Sequence, residues 1–144
     1  MKKNLYFEDV EIGDDIGPIK RSVTDEDVIE FVSVRETEVT PSRFTSNEVA
    51  NSEGMPEAIV PGPMNIALMS QILTDWSDTV CLLKIDVVFR QTVPHNTDLT
   101  FSGIVTDKDE TGNSTKLECD VVMENSDAVK LVIGTGVIAL PNKP

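Results

Sequence analysis

The sequence predicts an α+β fold in which a long apolar helix lies in the cup of a curled antiparallel sheet. Three observations carry this. Residues 59–76, IVPGPMNIALMSQILTDW, form an apolar stretch opened by a Pro-Gly-Pro break. From residue 80 onward, apolar and polar residues alternate in four runs separated by turn-forming clusters. Two short segments with helix-start signals precede both.

In chain order, residues 6–15, YFEDVEIGDD, alternate weakly and end in a Gly-Asp turn, which predicts an extended leading segment over the edge of the core. Thr24 with Asp27 three residues on marks a helix start, with Asp25, Glu26 and Asp27 favoured by the helix dipole and Val28, Phe31 and Val32 forming one apolar stripe. Thr45-Ser46-Asn47-Glu48 has capping-box spacing and announces a second short helix that stops at Gly54. The central helix is expected to begin at Pro63, where a missing amide costs nothing, and to run about 21 Å. Ile66, Leu68, Met69, Ile72, Leu73 and Trp76 cover more than one face, so this helix is expected to be buried.

The strands follow. Residues 80–93 put Cys81, Leu83, Ile85, Val87 and Phe89 on one face and Leu82, Lys84, Asp86, Val88 and Arg90 on the other. Pro94-His95-Asn96 turns the chain. Leu99, Phe101, Gly103 and Val105 mark the second strand, Leu117, Cys119, Val121 and Met123 the third, and residues 129–140 the last, joined by turns at residues 109–114 and 125–127. Gly134 and Gly136 share a face of the last strand, where a missing side chain either lets the helix pack closely or opens a tunnel, as do Ala67 and Ser70; close packing is the expectation.

The 144 residues fit one domain, 1–144. Cys81 and Cys119 lie in strand-like runs and read as small buried hydrophobes, which suits a reducing cytoplasm. The two lysines among the first five residues are not followed by an apolar run of leader length, and no stretch reaches membrane-spanning length, so a soluble cytoplasmic protein is expected. A formal net charge of -13, from 25 acidic and 12 basic residues, opposes nucleic acid. The same excess disfavours an anionic ligand unless a partner chain supplies the cations, although a saline habitat is another source of such acidity. No phosphate-binding glycine motif is present and Asp75, Asp78, Asp86 and Asp98 lack a histidine companion, so neither a cofactor nor a metal is expected. His95, the sole histidine, reads as a surface turn residue.

Several runs, in this order and spacing, resemble the MaoC-like dehydratase family of hot-dog fold, which includes the (R)-specific enoyl-CoA hydratases. They are Phe7-Glu8-Asp9-Val10-Glu11-Ile12-Gly13-Asp14, Val23-Thr24-Asp25-Glu26-Asp27-Val28, the helix start at Gly62, and Val88-Phe89-Arg90 leading to Val93-Pro94 and Thr97. The resemblance spans nearly the whole chain. It implies addition or removal of water across the double bond of an acyl thioester carried by CoA or acyl carrier protein, in fatty-acid or steroid side-chain metabolism. That chemistry needs a base for water, a proton for the α-carbon and donors for the thioester oxygen. The amides of Gly62, Met64 and Asn65 are the oxyanion and substrate-binding candidates, with Gly62 foremost; a glycine that merely permits a tight turn is the competing account.

The resemblance fails at the acid–base pair. The family's Asp-x-Asn-Pro-x-His motif, anchored on Pro41, places Glu38 at the aspartate and Arg43 at the histidine. Glu38 retains a carboxylate, whereas a guanidinium does not exchange protons near neutral pH. The usual carboxylate and imidazole pair is therefore absent, and the plain reading of Glu38 and Arg43 is an ion pair or two solvated loop charges. Some family members are pairs of unlike subunits, of which one carries the catalytic residues. The leading expectation is therefore the pocket-forming chain of a heterodimer or heterotetramer with a histidine-bearing MaoC-like subunit. The alternatives are a homodimeric, self-sufficient hydratase or thioesterase using Glu38, and a non-catalytic module that binds acyl thioester.

Overall fold

The computed structural model describes residues 3–144; Met1 and Lys2, where the leader reading begins, lie outside the described residues. A 3-10 turn over Phe7–Asp9 precedes strand β1 (Asp15–Arg21), helices α1 (Asp25–Ser33), α2 (Asn47–Ser52) and α3 (Gly62–Thr74), and strands β2 (Cys81–Phe89), β3 (Leu99–Lys108), β4 (Lys116–Asn125) and β5 (Lys130–Ala139). The strands form one antiparallel sheet in the order β1-β3-β4-β5-β2, and α3 packs against all five. This is the expected α+β hot-dog arrangement, a helix wrapped by a sheet.

Strand β1 is additional to the four expected, and the segment before it holds a 3-10 turn where an extended run was expected. Gly17-Pro18 reads as a breaker, yet β1 pairs only with β3, and a proline at a sheet edge removes no ladder bond. The register shifts between Ile16 and Ile19 to accommodate the pair. Strand β2 also departs from the expected alternation. A bulge between Leu82 and Lys84 reverses the phase, so Leu82, Ile85 and Val87 pack against the core while Cys81 and Leu83 are exposed.

Helix α1 begins as expected: Thr24 Oγ1 accepts from Asp27 N at 3.1 Å and Asp27 Oδ2 accepts from Thr24 N at 3.0 Å. In α2 the cap is Ser46, whose hydroxyl accepts from Val49 N, one residue later than the spacing implied. Helix α3 starts at Gly62, one residue before Pro63, with Pro61 as its cap position. It is not buried all round. Asn65, Met69, Ile72 and Leu73 face the sheet while Ile66 and Ala67 face outward, because a single sheet covers only one side of a helix. Burial of Met69, Ile72 and Leu73 stabilises the fold by at most about 1.5–3 kcal/mol each. Gly136 is what lets α3 seat: a Cβ there would collide with Leu73 Cδ1, which answers the packing question at this glycine. At the far end, Arg21 of β1 bonds Gln71 and Asp75, tying the sheet's edge to the last turn of α3.

Cys119 is buried as expected, and burial, with Asp120 and Glu118 nearby, pushes its thiol up to about 11. No helix among the described residues is long and apolar enough to cross a membrane.

Candidate active site

The segment leading into α3 is pinned from three sides. Ala58 N donates to Asn47 Oδ1 of α2 at 2.8 Å, Ile59 N to Arg43 O at 3.0 Å, and Val60 N to Val93 O at 2.7 Å. These bonds hold the first turn of α3 at the wall of a cavity of about 320 Å3, lined by Phe44, Val60, Gly62, Asn65, Phe89 and Thr92 among others. A Cβ on Gly62 would meet Phe89 Cζ at 3.6 Å, an ordinary contact. The glycine is therefore not required by a tight turn; it leaves the throat between the helix start and the β2 terminus open.

The first turn of α3 has no side-chain cap and no acidic residue. Its leading amides lack intrahelical acceptors, so the positive end of the helix dipole faces the cavity uncompensated. Among the three candidate donors, Asn65 N already donates to Pro61 O at 3.0 Å. Pro63 has no N–H, which leaves Gly62 and Met64 as backbone donors. Asn65 borders the cavity, but its side chain is only 3% exposed, and its Oδ1 is shut off from solvent without a hydrogen-bond partner.

The acid–base candidates lie elsewhere. Glu38 is exposed in a separate surface depression with Arg35, Thr37 and Thr40. Arg43 pairs with Glu53, Nε to Oε2 at 2.9 Å, rather than with Glu38, and its guanidinium lies over the Phe44 ring at 5.9 Å. Arg43 thus supports the cavity's aromatic wall from behind. The described lining of the cavity includes neither a carboxylate nor an imidazole.

His95 is buried, 7% exposed, and not the surface residue expected from its turn. Its Nε2 donates to Ile59 O at 3.0 Å and its Nδ1 lies 2.8 Å from Asp25 Oδ1. With Asn96 Nδ2 also donating to Asp25 Oδ1, these contacts hold the Asp25 carboxyl below its ordinary range, the His95 bond contributing most. The ring therefore fastens the start of α1 to the strand-like segment ahead of α3. Nothing local in the sequence signals this, because Asp25 is 70 residues away. Among the described residues no group of His, Cys, Asp or Glu is placed to hold a metal.

The arrangement can polarise a carbonyl oxygen with the Gly62 amide and the helix dipole, at a wall that is largely apolar but also includes Arg90, Gln91 and Thr92. It does not itself bring a proton-transfer group to that oxygen.

No family model matches the chain, and no curated protein matches its sequence. Solved structures do. The chain is similar to the (R)-hydratase PhaJ1 of Pseudomonas aeruginosa, at 19% identity and TM-score 0.83, covering 97% of this chain and 88% of that one. It is similar to a MaoC-like dehydratase of Rhodospirillum rubrum, at 14% identity and TM-score 0.78, covering 98% and 99%. It is also similar to a chain of the ChsH1–ChsH2 complex of Mycobacterium tuberculosis, at 17% identity and TM-score 0.76, covering 90% and 98%. At such identities a likeness establishes architecture, and the architecture is that of the MaoC-like dehydratases and (R)-hydratases.

Proposed function

We propose that this chain is the pocket-forming subunit of a two-chain enoyl-thioester hydratase, in which a histidine-bearing partner of the same fold supplies the acid–base chemistry. The single observation behind this reading is the division of the site. The first turn of α3 offers amide donors at Gly62, which lines the cavity, and at Met64 next along the helix, whereas Arg43 is engaged with Glu53 and His95 with Asp25 and Ile59. In this reading the two amides hold the thioester oxygen as enolate charge develops. The partner's imidazole and carboxylate handle the water and the α-proton.

Strand β2 supports the same reading. It is an edge strand whose outer side is unpaired among the described residues, and it exposes Leu83, Val88 (56%) and Phe89 (48%). This nine-residue edge, in which the exposed ion pair Lys84–Asp86 interrupts the apolar residues, offers its unpaired backbone as a template for another chain. Phe89, at the end of β2, also lines the cavity, so a chain docked along β2 reaches the site. The net charge of -13 fits a partner that carries the cations for a CoA or carrier-protein phosphate. The similar structures include complexes, ChsH1–ChsH2 and HadBC of Mycobacterium tuberculosis. A reducing cytoplasm suits the two unbridged cysteines.

The test is reconstitution with a histidine-bearing MaoC-like chain encoded beside this one. Hydration of an enoyl-CoA is expected to rise with added partner and to saturate at a fixed ratio of the two chains. A rate indifferent to this chain rejects the proposal.

A further inference from the structure

The face of the sheet turned away from α3 carries a groove of about 810 Å3 that plays no part in the proposed function. Strand register gives its shape. Ile16, Gly103, Val121 and Gly134 are ladder partners and form its floor, so it crosses the strands instead of following them. The sheet draws in along this row: a Cβ on Gly103 would stand 2.9 Å from Asp120 O, and one on Gly134 2.7 Å from Asp86 O. Side chains one residue to either side make the walls. One wall is Ser102, Val122, Ile133 and Val88, largely apolar. The other is Asp15, Ile104, Asp120, Thr135 and Asp86, in that order across the sheet and all exposed.

We infer that this groove docks an extended polyproline II segment of another protein that carries arginine or lysine at every third residue. The aspartates stand on alternate strands of the sheet, β1, β4 and β2. Neighbouring strands lie about 4.8 Å apart, so the carboxylates recur about every 9.6 Å. Polyproline II rises about 3.1 Å per residue with three residues per turn, which sets every third side chain along one edge at about 9.3 Å. A β-strand points residues three apart to opposite faces. An α-helix, about 10–12 Å across, is too wide for walls whose backbones lie two residues, about 6.8 Å, apart. Prolines on a second edge of the segment meet Val122, Ile133 and Val88. Charge selects the occupant. Among the described residues Asp15 and Asp120 have no cationic partner, and Asp86 has only the exposed Lys84, a pair worth little. Lys130 lies on the apolar side of the groove, beside Glu124 in the ladder. A second copy of this chain would set the same three aspartates against themselves, under a net charge of -13 per chain.

Fluorescence anisotropy with two labelled peptides tests this, one of Arg-Pro-Pro repeats and one of the same composition with its arginines contiguous. The wild-type chain is expected to bind the repeat peptide saturably, and about tenfold more tightly than the contiguous one. Asp120→Asn, which removes the middle carboxylate, is expected to weaken the repeat peptide about tenfold. Glu110→Gln, an equal change of charge in the β3–β4 connection outside the groove, leaves it unchanged. Equal affinity for the two peptides overturns the inference, as does an equal loss in Asp120→Asn and Glu110→Gln, since overall charge is then the attraction. So does the absence of saturable binding. Val122→Lys is expected to weaken the peptide and to leave sedimentation of the chain unchanged. A smaller sedimenting species in that variant assigns the face to a second copy and overturns the inference too.

Discussion

The starts of α1 and α3 are opposites. At α1, Thr24 and Asp27 cap one another's amides, three acidic residues fill the first turn, and His95 seals Asp25 from the side. At α3 there is no side-chain cap, no acidic residue, and a cavity in place of a seal. Both are short of intrahelical acceptors in the same way. The difference is that α1 satisfies its donors from its own chain, which makes it a structural joint, whereas the start of α3 has no side-chain cap and, at Gly62, borders a cavity.

The contrast is broken most severely at Gly62. Proline is compatible with the first position of a helix but has no N–H, so Gly62→Pro is expected to lower turnover of the reconstituted pair on the order of 100-fold with little change in melting temperature. Unchanged turnover would remove the amide from the account. Further along the same helix, where α3 is packed and not open, the cost moves from activity to stability. Gly136→Ala would drive a methyl into Leu73, and denaturant unfolding is expected to show a loss on the order of 1–3 kcal/mol.

At α1 a cap deletion should be felt only as stability. Thr24→Ala is expected to cost about 1 kcal/mol in urea unfolding and to leave turnover of the pair intact. The smallest effect is in acid. The Asp25 carboxyl is held below the ordinary carboxylate range, chiefly by its bond to His95. Its stabilising contribution is therefore complete above that ordinary range and is lost as the pH falls through the lowered one. The stability gap between the wild type and Asp25→Asn should accordingly close on acidification below the ordinary carboxylate range, whereas α3, with no first-turn carboxylate, adds no such titration. A gap that persists at the acid end would detach Asp25 from His95.

Local patterns made part of this molecule legible. The long helix declared itself by its Pro-Gly-Pro start, and four strands by period-two alternation between turns. Gly62 could be singled out for the same reason. Strand β1 stayed hidden because Gly17-Pro18 looks like punctuation, and only its place at the sheet's edge makes the pair tolerable. The bulge at Leu83 has no signature, so every inward residue before it was assigned to the wrong side. His95 and Arg43 were illegible for a different reason. Their partners, Asp25 and Glu53, are chosen by the fold and not by neighbours in sequence. Asn65 was visible as an amide in a first turn, but that its side chain is the orphan and its backbone is not required the coordinates of the cavity.

The central claim is that this chain holds an acyl thioester without the means to move its protons. Enoyl-CoA hydration by the purified chain alone measures that most directly. The account predicts no turnover above the uncatalysed rate, with His95→Gln making no difference. Turnover matching that of the reconstituted pair, abolished by His95→Gln, would contradict it.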